Sequence, residues 1–139
     1  MSLYILDTDT VTLFAEGHQL VTRRVREQAP EDVAITVLTV EEQLSGWYTQ
    51  VRKAKRPERL ALAYRELARS VRFLSRLQIV DYTQAAMQRY EQLRKQKVKI
   101  RRMDLRIAVT VLEYGGILVT RNSRDFKLVP GLEFEDWSQ

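Results

Sequence analysis

Cysteine is absent from this 139-residue chain, and histidine occurs once. The first absence excludes disulfides, thiolate zinc sites and a cysteine nucleophile. The second argues against a histidine-built metal centre or a Ser-His-Asp triad. The plain reading of the one histidine, His18, is a surface residue in a loop. No apolar run approaches the roughly 18 residues of a membrane span. The N-terminus has no basic segment leading into a long apolar one, so no signal peptide is expected. Neither a repeat, a low-complexity tract nor a linker interrupts the chain. The expectation is a single domain over residues 1–139, with no membrane association and a cytoplasmic location.

What is present is a core and an excess of positive charge. Hydrophobic residues make up 45% of the chain, too many for a disordered one. Lysine and arginine number 23 against 18 acidic residues, for a net charge of +5 and a pI near 9.7. That balance favours a polyanionic partner, nucleic acid first.

Short apolar runs alternate with helical patterns. Leu3 to Leu6, Val33 to Val37, Leu77 to Val80 and Ile117 to Thr120 read as strands, with Leu132 to Glu135 as a fifth at the edge. A short helix is expected to start near Thr10. Others are expected over residues 39–52, with Thr39 and Glu42 in capping-box spacing, and over 57–75, with Leu60, Tyr64, Leu67, Val71 and Leu74 on its inner face. Two more cover residues 83–96, with Ala86, Tyr90 and Leu93 inward, and 104–114, apolar nearly all round and stopped by Gly115-Gly116. Strands alternating with helices predict an α/β fold, a mostly parallel sheet flanked by helices in three layers, α/β/α. Ligand sites in such folds lie beyond the carboxyl ends of the strands.

The acids fall at those boundaries. Tyr4-Ile5-Leu6 runs straight into Asp7-Thr8-Asp9, and Glu42, Asp104 and Asp125 stand near other element boundaries. Each has a simple local explanation. Asp7 or Asp9 caps the first helix, Glu42 completes a capping box, Asp104 caps its helix, and Asp125 sits in a loop. Their coincidence points further, because clustered carboxylates repel one another unless a cation is present. Mg²⁺ or Mn²⁺ suits a site of carboxylates and water, and such a site is fitted to hydrolysing phosphodiesters. Two basic features accompany them: Arg65, Arg69, Arg72 and Arg76 at helical spacing, and a run of Lys95, Lys97, Lys99, Arg101 and Arg102 just before Asp104. Of these the second is the better placed to contact nucleic-acid phosphates. The aromatics Trp47, Tyr64, Phe73 and Tyr90 read as core or subunit-interface residues.

Four segments carry a family resemblance. They are Tyr4–Asp9, Ile35–Glu42, Met103–Ala108 and Leu118–Phe126, with Pro130-Gly131-Leu132 and Trp137 behind them. In this order they resemble the PIN-domain ribonucleases, most closely the VapC-type toxins of bacterial toxin–antitoxin pairs. The resemblance implies that Asp7, Glu42, Asp104 and Asp125 form a catalytic, metal-binding set for Mg²⁺ or Mn²⁺. It leaves Asn122 and Asp125 competing for the fourth position. Thr120, Asn122, Lys99, Arg101 and Arg102 become the expected substrate-binding residues. RNA is the implied substrate, and a small antitoxin and a second copy of the chain are the implied partners. Two departures stand out: Asp9, where these toxins commonly have asparagine, and the strongly basic approach to Asp104. Asp7-Thr8-Asp9 also looks like the Asp-x-Asp signature of haloacid-dehalogenase phosphatases, though Asp104 and the Thr120–Phe126 segment fit that family poorly. The same fold would also serve a nuclease of RNA processing or a non-catalytic domain that binds RNA or protein.

Overall fold

The computed structural model describes residues 2–139. Five short strands form one parallel sheet: β1 (Tyr4–Leu6), β2 (Val33–Thr36), β3 (Gln78–Val80), β4 (Ile117–Val119) and β5 (Phe134–Glu135). Their order is β3-β2-β1-β4-β5. Seven helices connect them: α1 (Thr8–Ala15), α2 (Gln19–Arg26), α3 (Val37–Lys53), α4 (Pro57–Ser75), α5 (Gln84–Lys95), α6 (Arg102–Glu113) and α7 (Ser123–Phe126). This is the three-layer α/β/α arrangement that the alternation of strands and helices predicts.

Side chains of a strand alternate between faces, and the two faces feed two cores. Ile5, Ala34 and Leu118 pack with α5 and α6, around Leu105, Ala108, Val109 and Tyr90. Leu6, Val33, Ile35 and Val119 pack on the other face with Val11, Val21, Leu74 and Trp137. Ile5, Leu6 and Leu118 are fully buried, each worth about 1.5–3 kcal/mol of transfer free energy. Gly115 ends α6 with φ +63°, and a Cβ on Gly116 would lie 2.8 Å from the Leu3 carbonyl oxygen. The pair therefore lets β4 close directly onto β1.

The chain steps from β1 out to β2 and β3, then returns across the sheet to β4 on the other side of β1. Strand order reverses between β1 and β4, where an α/β sheet opens a crevice at its carboxyl edge. The register pairs Leu6 with both Ile35 and Val119, so Asp7, Thr36 and Thr120 stand level along that edge.

Some expectations change. Helix α2 was not foreseen, and His18 is its half-buried N-cap, with Nδ1 accepting from the Val21 amide at 3.3 Å. Helix α3 begins at Val37, because Thr36 is the cap and its hydroxyl accepts from the Thr39 amide at 3.2 Å. Glu42 is thus one turn too late for a capping box. Asp104 is the third residue of α6 rather than its cap, and Asp125 lies in the short α7. On α4 the expected inner face turns outward in part: Leu60, Tyr64 and Val71 are exposed, while Ala63 and Leu74 are buried. The helix pairs mainly with α3 as an antiparallel hairpin, so only a narrow strip of it meets the body. No helix among the described residues is long and apolar enough to cross a membrane.

Candidate active site

The crevice between β1 and β4 is a cavity of about 430 Å³ lined by Asp7, Thr8, Asp9, Arg101, Asp104, Arg121 and Asn122. Asp7 comes directly off β1 and is only 6% exposed. Its Oδ1 accepts from the Thr10 amide at 2.8 Å and caps α1. Capping and lining the cavity are therefore not rivals; one carboxylate does both. Burial pushes its carboxyl above the ordinary aspartate range; hydrogen bonds from Thr120 and Thr10 oppose that rise, and the charge of Asp9 adds to it.

Glu42, on the second turn of α3, does not line the cavity wall and meets it through Thr8 and Arg101. Thr8 Oγ1 donates to its Oε1 at 2.5 Å, and the Thr8 and Thr39 hydroxyls meet at 3.0 Å. Its other oxygen, Oε2, accepts from Arg101 Nη2 at 3.3 Å. Asp104 enters from the first turn of α6, where the helix dipole favours an anion. Its Oδ1 accepts from the same Arg101 nitrogen at 3.2 Å and its Oδ2 from Arg101 Nε at 3.4 Å. One guanidinium thus bridges two largely buried carboxylates, while its own side chain is 65% exposed. Asp104, then Glu42, hold that guanidinium's pKa further up.

The β4 side supplies neutral polar groups. Thr120 is buried, and its hydroxyl accepts from the Asn122 amide at 2.9 Å. Asn122 lines the cavity, and its Nδ2 donates to Asp125 Oδ2 at 3.0 Å. Asp125 therefore reaches the cavity through Asn122. Phe126, buried at 1% exposure, pins α7 and fixes both residues. Lys99 and Arg102 are exposed on either side of Arg101 and do not line this cavity.

Among the described residues, no three carboxylates stand as a preformed metal cage. The donor set still fits a hard divalent cation: it is all carboxylate oxygen, and Glu42 and Asp104 already share one positive group. Arg101 Nη2 sits where a cation would satisfy both acids.

Two site residues were not expected from the sequence, and a third takes a different role. Thr8 was passed over between two acids, although a hydroxyl directly after a strand-end carboxylate faces the same crevice. Arg121 donates from Nε to Asp9 Oδ2 at 2.8 Å, and Asp9 holds its guanidinium's pKa up. The extra charge of Asp9 is therefore matched by an arginine on the opposite lip. Arg101 was expected to bind substrate, and its bridging of the acids had no sequence signal.

Comparison with known proteins bears on this geometry. The PIN-domain family model matches residues 4–132. A tRNA(fMet)-specific endonuclease VapC of Salmonella typhimurium is 30% identical over 141 aligned positions, covering 99% of both chains. One of the same name from Shigella flexneri is 36% identical over 85 residues, 58% of this chain and 64% of that one. Among solved structures, DNA-bound VapBC from Salmonella typhimurium superposes with a TM-score of 0.79 at 27% identity, covering 99% of both chains.

Proposed function

This chain belongs to the PIN-domain family, and on that premise we propose that the β1–β4 crevice hydrolyses RNA phosphodiesters with the help of a divalent cation. The chain is a VapC-type ribonuclease, the toxin of a VapBC-type pair. The observation that carries the cation reading is the Arg101 guanidinium, bridging Glu42 and Asp104 beside the buried Asp7.

Asp7, Asp104 and Glu42 would hold the cation, with Asp125 acting on the fourth position through Asn122. When bound, Mg²⁺ or Mn²⁺ would supply positive charge against the scissile phosphate and make water a better nucleophile. The rest falls to the protein. Glu42, with Oε1 fixed by Thr8, presents Oε2 to orient the attacking water and accept its proton. Arg101, released from the acids, turns its exposed guanidinium to a phosphate oxygen, where a planar fork is well suited. Thr120 and Asn122 keep the β4 wall polar and uncharged. Lys99 and Arg102 extend the positive surface for the neighbouring phosphates. The products are two RNA fragments, and no covalent intermediate is required.

The reading takes residues 1–139 as one PIN domain acting in the cytoplasm. Its partners are a second copy of the chain and a small antitoxin that lays a basic side chain among the carboxylates. The site that accepts Arg101 can accept such a group. Transfer RNA is the first substrate to try, since the Salmonella and Shigella relatives are named for it.

The test is incubation of total cellular RNA with antitoxin-free protein, in Mg²⁺ or Mn²⁺ and in EDTA, beside Asp104→Asn. Discrete fragments that disappear with EDTA and with the variant are expected. Intact RNA with the metal-loaded wild type would refute the reading.

A further inference from the structure

A dense cluster of positive charge lies away from the crevice, at the tip of the α3–α4 hairpin. Between Arg52 and Arg59 stand Arg52, Lys53, Lys55, Arg56 and Arg59, against the single carboxylate of Glu58. All six are exposed, and none takes part in an ion pair among the described residues. Elsewhere the arginines that reach a carboxylate take it: Arg24, Arg69, Arg89, Arg101 and Arg121 are all paired. Like charges this close repel, so the tip is a site of stored positive potential.

The tip is also concave. A cavity of about 390 Å³ opens there, and its walls carry Lys53, Lys55, Arg56 and Arg59 with no acid. Trp47 is part of its wall, on the same face of α3 as Gln50 and Ala54. Its indole is half-buried, whereas Trp137 is wholly buried in the core. Pro57 starts α4 immediately after the turn, and no glycine loosens it. The cations are thus held on a stiff support. Along α3, Lys53 lies eleven residues beyond Glu42, about 16 Å at helical rise, so one helix carries both the tip and a catalytic acid.

Four cations and an aromatic face around one notch match a polyanion with planar bases. We infer that this notch is a second RNA-binding site, where Lys53, Lys55, Arg56 and Arg59 hold backbone phosphates and Trp47 offers its face to an unpaired base. The inference rests on the ribonuclease reading for its choice of RNA as the polyanion. The site anchors the RNA away from the bond being cut and fixes which part of it reaches the crevice.

The test is binding of fluorescein-labelled bulk transfer RNA to the full chain in EDTA, which needs no cleavage. Lys55→Gln/Arg56→Gln/Arg59→Gln is compared with Arg65→Gln/Arg72→Gln/Arg76→Gln. Both remove three exposed charges, the first set around the start of α4 and the second from its middle to just past its end. The tip variant should bind about tenfold more weakly or worse near physiological salt. The slope of log affinity against log salt should shrink by about two to three, at roughly 0.7–0.9 per lost phosphate contact. The control triple should stay within about threefold of wild type, a bound taken from loss of general attraction alone. Quenching of tryptophan fluorescence by RNA should vanish in Trp47→Phe. Equal losses in the two triples would reduce the tip to general charge and overturn the inference. Unchanged RNA binding with weakened binding of polyglutamate would assign the tip to an acidic protein instead, and overturn it too. The ribonuclease reading fails separately: tip-dependent binding without any metal-dependent cutting would refute the enzyme and leave the anchor. Metal-dependent cutting by a tip variant that binds as tightly as wild type would do the reverse.

Discussion

The crevice and the hairpin tip hold opposite charge, and they handle it in opposite ways. In the crevice each acid is given a partner within the chain. Asp7 takes the Thr10 amide, Glu42 takes Thr8 and Arg101, Asp104 takes Arg101, Asp9 takes Arg121, and Asp125 takes Asn122. At the tip Lys53, Lys55, Arg56 and Arg59 have no carboxylate partner among the described residues. The difference follows from burial. A buried carboxylate left unpaired is costly, so the fold gives each crevice acid a hydrogen bond or an ion pair. An exposed cation is hydrated and tolerates having none. A charge neutralised internally marks a place where one ion can exchange for another. Exposed charges left together around a notch mark a place where a ligand supplies the counterion.

The largest effect that sharpens this contrast belongs to Asp7→Asn. Cleavage should fall by about 10²-fold or more, while metal-free stability should rise. The sign follows from burial. The folded pKa lies above the unfolded one, so between the two the folded protein binds more protons, and stability falls as pH climbs through that window. Asparagine removes that penalty and can still cap α1. Its gain in Tm over wild type should therefore be present at neutral pH and shrink as the pH is lowered into and below the ordinary aspartate range. A metal-free Asp7→Asn protein that melts below wild type at neutral pH would break the account of a penalised, buried charge.

Thr8→Val comes next. It removes the donor that fixes Glu42 Oε1 without changing the shape of the side chain much. A hydrogen bond to a charged group is worth about 1.5–3 kcal/mol. With the Thr39 hydroxyl alongside to compensate in part, kcat should fall about tenfold with KM little changed. Loss in KM alone would place Thr8 against substrate rather than behind Glu42.

Arg101→Gln tests the exchange directly. Its ion pairs are substantially exposed, so they contribute at most about 1 kcal/mol to holding the acids. Mn²⁺ should therefore bind up to about fivefold more tightly to the variant, while its KM for RNA rises. Unchanged Mn²⁺ affinity would show that the guanidinium does not compete for the cation position.

The smallest effect concerns the loop that delivers Arg101. Lys97 closes α5 in the left-handed region, at φ 61°, where glycine is favoured. Lys97→Gly should relieve about 1 kcal/mol of backbone strain and raise Tm, leaving the metal response as it is.

The architecture was legible because its signals are local. Three-residue strands such as Tyr4–Leu6 are read from unbroken apolar runs, and α6 from a pattern apolar nearly all round. Asp7 was legible as a carboxylate at a strand end, since strand ends point to the crevice in this fold class. The pairings were not legible, because they depend on which elements meet. Arg101 touches Glu42 across 59 positions of sequence, and Arg121 touches Asp9 across 112. The outward turn of Leu60, Tyr64 and Val71 was hidden for a similar reason. Periodicity reports an amphipathic helix without saying whether the body of this chain or another surface meets its apolar side. Thr36 displaced Thr39 as the cap of α3 because the register of β2 ends one residue earlier than its apolar run.

The measurement that bears most directly on the exchange of one cation for another is a thermal melt of the purified protein titrated with Mn²⁺. The account predicts a rise in Tm that EDTA reverses and that grows with the logarithm of Mn²⁺ concentration above Kd, worth about 2.7 kcal/mol of stabilisation at a hundredfold excess, and absent from Asp104→Asn. A wild-type melting curve indifferent to Mn²⁺, or a rise that Asp104→Asn shares in full, would contradict it.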